Sequence, residues 1–237
     1  MRKFFLASAV LAATSLSLTA PGRAADKAEK IAVTPESGKA VLIIKTDELP
    51  VPASLASGFH LVLAPYDAER EALGGSNFGG RKTFKARPSR FYEGYLVLDV
   101  KPGTYVVQEF SRQDSWALCY HADSLQFTVK PDQALYLGTF DSIGSVQELE
   151  GNALRTGRLT TTGALVHFFD GISAPRFAEA SSDDLAQAQA MATRAMPRTT
   201  VPVQPVEFRK ARFGTGTDLF GTNRVCGGYY KGSAKND

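Results

Sequence analysis

Short apolar runs separated by turn formers set the rhythm of this chain. Ala40 to Lys45 and Phe59 to Tyr66 read as strands, the second stopped by Pro65. Gly74 to Gly80 reads as a loop from its glycine content. Tyr95 to Val100 reads as a strand, and Lys101-Pro102-Gly103 turns it: Pro pre-sets φ, and Gly accepts the positive φ of a type II turn. Thr104 to Phe110 returns, and Trp116 to His121 follows. Leu125, Phe127 and Val129 then alternate with Gln126, Thr128 and Lys130, the period of a half-buried strand. After Lys130-Pro131-Asp132, Ala134 to Phe140 forms a further strand, and Gly163 to Asp170 a late one. Closely spaced short strands without intervening helices predict a mainly β protein, an antiparallel sandwich, with its core between Ala40 and Asp170.

The pattern changes towards the C-terminus. Ser182 offers a cap for a helix through Leu185 to Met196, with Asp183 and Asp184 at its positive end, Arg194 near its negative end and Pro197 as the stop. Its Ala and Gln content predicts a peripheral surface helix. Thr199 to Pro205 reads as an extended linker, and Phe208, Phe213 and Phe220 as a tail that packs on something.

The N-terminus carries a targeting signal: Arg2 and Lys3, an uncharged run from Phe4 to Ala20, and Gly22-Arg23-Ala24, which predicts cleavage after Ala24. The run is short for a membrane span, and no Cys follows the cleavage point for a lipid anchor. Hence the expected organisation is a signal peptide at 1–24, a flexible lead-in at 25–39, a β-sandwich at 40–171, and a helix with a disulfide-tethered tail at 172–237. The expected location is the periplasm or the medium, with no integral membrane segment after cleavage. Arg2, Lys3 and Arg23 leave with the signal, which reduces the 27 Lys+Arg to 24, level with the 24 Asp+Glu. A neutral mature chain gives no support for nucleic-acid binding. Cys119 and Cys226 are the two cysteines, and in an exported chain they are most simply paired with each other.

Leu98-Asp99-Val100-Lys101-Pro102-Gly103-Thr104-Tyr105, Phe127-Thr128-Val129-Lys130-Pro131 and Leu135-Tyr136-Leu137-Gly138 resemble a group of bacterial exported β-sandwich domains of unknown function. Prealbumin-like and carboxypeptidase-regulatory-like domains share the first half of the pattern. The likeness spans about half of the mature chain and departs at Asp132, which stands in place of Gly. It implies a sandwich fold and an envelope location, and carries over no catalytic residue.

Motifs with mechanical content fail on inspection. Gly75 to Thr83 places Arg81 where a phosphate-binding loop needs Lys, and Gly214-Thr215-Gly216 with Gly221 has the wrong spacing for a dinucleotide fingerprint. His60, His121 and His167 fall on separate strands, and only Cys119 stands at ligand spacing from one of them, so neither a metal nor a cofactor is expected. Tyr92, Tyr95, Trp116 and Tyr120 are candidates for an aromatic binding platform, against the plainer reading that they fill a core. Two functions remain. One is a non-catalytic binding or structural module of the envelope, with a glycan or another envelope protein as partner. The other is an extracytoplasmic hydrolase assembled from distant residues such as His121, His167 and Asp170.

Overall fold

The computed structural model describes residues 28–46, 59–73, 84–85, 91–112, 116–158, 167–169, 172–213, 216–217, 223–225 and 228–229. The expected signal segment, the Gly74–Gly80 stretch, Asp170, Phe220 and Cys226 lie outside the described residues. In chain order the elements are β1 (Ala40–Thr46), β2 (Phe59–Asp67), β3 (Ala72–Leu73), β4 (Phe84–Lys85), β5 (Phe91–Tyr92), β6 (Tyr95–Val100), β7 (Gly103–Arg112), β8 (Trp116–Cys119), β9 (Ser124–Val129) and β10 (Gln133–Phe140). Helix α1 (Ser142–Thr156), β11 (His167–Phe169), β12 (Phe177–Ala178), helix α2 (Ser182–Ala195), β13 (Val203–Pro205) and β14 (Arg209–Ala211) follow. A small ribbon of β15 (Gly216–Thr217), β16 (Asn223–Val225) and β17 (Gly228–Tyr229) comes last.

The protein is mainly β. One sheet runs β12-β10-β1-β6-β5, with β13 also on the outer edge of β10; the other runs β11-β8-β7-β2-β3, with β9 on β7, β14 on β9 and β4 on β2. Most neighbours are antiparallel, as expected for a sandwich, but β1 with β10, β10 with β13, and β8 with β11 run parallel. Between the sheets, Leu42, Ile44, Leu96, Leu98, Leu135 and Leu137 meet Leu61, Leu63, Val107, Phe110, Leu118 and Phe127.

Two irregularities aim the aromatic core. In β10 the register with β1 steps from Ile43↔Tyr136 to Lys45↔Thr139, so Leu137 and Gly138 together face Ile44. In β7 it steps from Leu63↔Val107 to Val62↔Glu109, leaving Gln108 as the extra residue. Each bulge reverses the alternation, so Leu137 and Phe140, and likewise Val107 and Phe110, all point inward. Phe110 and Phe140 then meet with ring centroids 5.6 Å apart, and Phe59 lies 5.3 Å from Phe110.

Helix α2 corrects an expectation, for it is not peripheral. Ala188, Met191, Ala192 and Ala195 are buried against Val41, Ile43, Val97, Ala134 and Tyr136, on the outer face of the first sheet. The alanines that suggested weak anchoring permit close approach instead. Its start is Ser181 rather than Ser182: the Ser181 side chain accepts from the Asp184 N–H, and the Asp184 carboxylate accepts from the Ser181 N–H, closing a capping box. The first sheet is thus covered on both faces, which explains the unbroken apolar run of β1. Residues 28–39, expected to be a flexible lead-in, pack on the same layer. Ala28 and Val33 are buried, and the Thr200 N–H donates to the Val33 carbonyl at 2.9 Å.

Helix α1 was not evident from the pattern, because two of the four positions on its buried stripe are Ser142 and Ser145. It buries Ser142, Ser145, Leu149 and Ala153. Asp141 caps it by accepting from the Gly144 N–H at 2.7 Å, and Gly157 ends it at φ +67°. Arg176 fastens the returning chain to this helix, donating from Nε to Asp141 at 2.7 Å and from a terminal nitrogen to Glu148 at 3.2 Å.

The tail wraps both sheets. β13 lies on β10, the Val206 N–H donates to the Tyr136 carbonyl at 3.0 Å, and β14 lies on β9. In between, Phe208 packs edge-on against Phe127 at 5.8 Å and against Phe177 at 5.0 Å. Phe213 is buried with Ala64, Tyr66, Val106 and Cys119 on the outer face of the second sheet. Among the described residues, no helix is long and apolar enough to cross a membrane.

Candidate functional site

The residues singled out by sequence are dispersed through the fold. Tyr92 and Tyr95 belong to the layer beneath α2, whereas Tyr120 and Trp116 belong to the layer between the sheets. Tyr95 is 6% exposed and Tyr120 3%, so the four do not form one open aromatic surface. Tyr95 packs 6.4 Å from Tyr136, with the Lys45 ammonium 6.0 Å above its ring. Burial pushes the Tyr120 hydroxyl up strongly, despite its hydrogen bond with Ser145. The Trp116 indole donates to the Arg158 carbonyl at 2.8 Å, which is a packing role.

Of the hydrolytic candidates, His121 and His167 stand on different segments, and Asp170 lies outside the described residues. His167 pairs with Trp116 on β8, while His121 follows the other end of that strand, where its carbonyl accepts from the Phe213 N–H at 2.9 Å. His167 pairs at the start of β8 and His121 lies two residues past its end at Cys119, so the two backbones stand at opposite ends of that strand. His60 lies on β2 opposite Ser111 and is buried. Among the described residues, no three His, Cys, Asp or Glu side chains cluster as a metal site. Cys119 is 2% exposed and carries no free thiol; its expected partner Cys226 lies outside the described residues.

A groove of about 610 Å³ opens where the sheets part, between β9 on one side and β10 with β13 on the other. The tail leaves this gap: β13 lies on β10, the chain then crosses to β9, and β14 covers β9 only from Ser124 to Gln126. Its floor is Phe127, Leu135, Pro205 and Val206, and its walls carry Thr104, Thr128, Gln126, Gln133 and Gln204. Lys130, Glu207 and Arg209 supply charge. Several of these groups are already engaged. The Thr104 and Thr128 hydroxyls lie 3.3 Å apart, the Gln126 amide donates to the Lys210 carbonyl at 3.2 Å, and the Gln133 oxygen accepts from the Lys130 N–H at 2.9 Å. Those bonds hold the wall in place and leave the other half of each Gln amide available to a ligand.

Asp132 sets the hairpin beside the groove, which gives the departure from Gly a physical role. It adopts φ +60°, and its carboxylate accepts from the Glu36 N–H at 3.0 Å, the Ser37 hydroxyl at 2.9 Å and the Gly38 N–H at 2.7 Å. Desolvation works to raise its pKa, but the hydrogen bonds from Ser37, Gly38 and Glu36 outweigh it and hold the carboxyl below its ordinary range. A glycine could adopt this turn but could not fasten the 36–38 segment to it.

The alternation of Gln126, Thr128 and Lys130 was legible in sequence as a solvated strand face. That it faces Gln204 and Glu207 across a gap was not legible, since the tail supplies the far wall. No protein-family model, curated protein or solved structure matches the chain.

Proposed function

We propose that this chain is an exported, non-catalytic binding or structural module of the cell envelope, acting through the groove between β9 and β13. The groove carries the reading: its lining offers amides, hydroxyls and fixed charge on an apolar floor, which are groups that recognise and orient a ligand. Export rests on the signal pattern from Arg2 to Ala24. The pairing of Cys119 with Cys226 belongs to the same reading. It would tie the tail to the second sheet, and the burial of Cys119 beside Phe213 supports it. Membership of the bacterial exported sandwich group is part of the proposal and rests on the Pro-Gly-x-Tyr and Tyr-Leu-Gly segments.

The test is amide chemical-shift mapping of the secreted chain, titrated with defined oligosaccharides and peptides. Saturable shifts clustered on Thr104, Gln126, Thr128, Gln133 and Gln204, with the added compounds recovered intact, support a binding module. Hydrolysis of an added compound, or shifts clustered away from the groove, would overturn it. Intact mass of the same material checks that the chain begins at Ala25.

A further inference from the structure

The groove has a property that narrows its ligand. On β9, Phe127 to Val129 pairs with β7 on one side, and on the other side carries no ladder partner among the described residues, because β14 stops at the level of Gln126. That stretch of edge opens on the groove. A strand edge presents backbone N–H and C=O groups that an extended chain can complete. The tail already does this one step earlier, where Arg209 to Ala211 lies antiparallel on Ser124 to Gln126.

Charge gives the second constraint. Among the described residues neither Lys130 nor Arg209 forms an ion pair, and the one carboxylate in the lining is Glu207. Thr128 and Gln126 share one face of β9, Lys130 follows directly after the strand, and Arg209 stands opposite Gln126. Cations therefore flank the open edge. An added strand would meet them with every second side chain and send the alternate ones to Leu135, Pro205 and Val206.

The third constraint argues against a sugar chain. The one aromatic ring in the lining, Phe127, is 2% exposed, with Tyr105 stacked 6.0 Å away and Phe208 edge-on at 5.8 Å. Among the described lining residues, no ring face is open for a pyranose to stack on.

We infer that the groove takes an extended acidic peptide segment of another protein, added as a short strand along Phe127–Val129, with acidic residues at alternate positions facing Lys130 and Arg209. The inference rests on the groove being the binding site and adds the class of partner.

The test is selection of a phage-displayed random heptapeptide library on the full secreted chain, followed by titration of the enriched peptides. Enriched sequences should carry Asp or Glu at alternate positions, with β-branched residues between. Their binding should shift the Thr128 and Val129 amides. The double variant Lys130→Glu, Arg209→Glu should weaken binding about tenfold, since each partly exposed pair contributes modestly, and should keep the wild-type unfolding midpoint. A lack of enrichment, enriched peptides without acidic bias, or affinity unchanged in the double variant would each overturn the inference. Tetragalacturonate is titrated in parallel. If it fills the groove and no peptide does, the binding reading stands and the peptide inference falls; if neither binds, both fall.

Discussion

Replacing Gly138 by Ala tests the bulge on which the core depends. Gly138 sits at φ +91°, where an L side chain is strained, and an added Cβ would press into the Ala178 carbonyl of β12. The backbone cost alone is about 1–2 kcal/mol. The clash is with backbone, so β12 must move away and release the Thr139↔Ala178 and Phe140↔Phe177 pairs. Phe140 is fully buried and touches Phe177 with centroids 5.2 Å apart, so its packing loosens too. Together these predict a loss of roughly 2–4 kcal/mol. The assay is urea unfolding followed by fluorescence, reading the midpoint at constant slope. Gly151→Ala is the internal control. It lies within α1, where a Cβ meets nothing within 4 Å, so it should stabilise by about 0.5–1 kcal/mol. A loss below about 1 kcal/mol for Gly138→Ala, or equal effects at the two sites, would refute the argument that the bulge and the close strand approach require glycine.

The remaining expectations concern the layer under α2 and the charged caps. Met191→Ala should cost about 2–5 kcal/mol in denaturant unfolding, because Met191 is wholly buried between helix and sheet; a surface helix would lose almost nothing. Ser181→Ala should cost about 1 kcal/mol by breaking the capping box, measured in the same way. At Asp141, desolvation raises the pKa, but hydrogen bonds from Arg176 and the Gly144 N–H outweigh it and leave the carboxyl below its ordinary value of 3.8. A depressed folded-state pKa stabilises fully above the unfolded value, and the contribution fades as pH falls below it through the folded pKa. Asp141→Asn should therefore be less stable than wild type at pH 7, and the gap should narrow towards pH 2; a gap that is constant across acid titration would contradict this.

What the sequence determined by itself was everything carried by local chemistry. Strict alternation at Leu125 to Val129, the Pro turns at Pro102 and Pro131, and the continuous apolar run of β1 each reflect a single strand and its own burial, so they read correctly as strands of a mainly β protein. The charge pattern of α2 reflects its own dipole and capping, so the helix was legible, though its cap was placed one residue late. Burial of that helix was not legible, because an Ala-rich face looks the same whether it meets water or a sheet that lets it approach closely. Tertiary structure also decided the inward turn of Phe110 and Phe140. A bulge changes alternation by one residue, and the only local traces are a glycine at 138 and an ordinary Gln at 108. The groove was least legible of all. Its walls come from β9, β10 and a tail about 80 residues further on, and the gap between them exists because that tail leaves one sheet edge for the other, a property of chain path that no local pattern encodes.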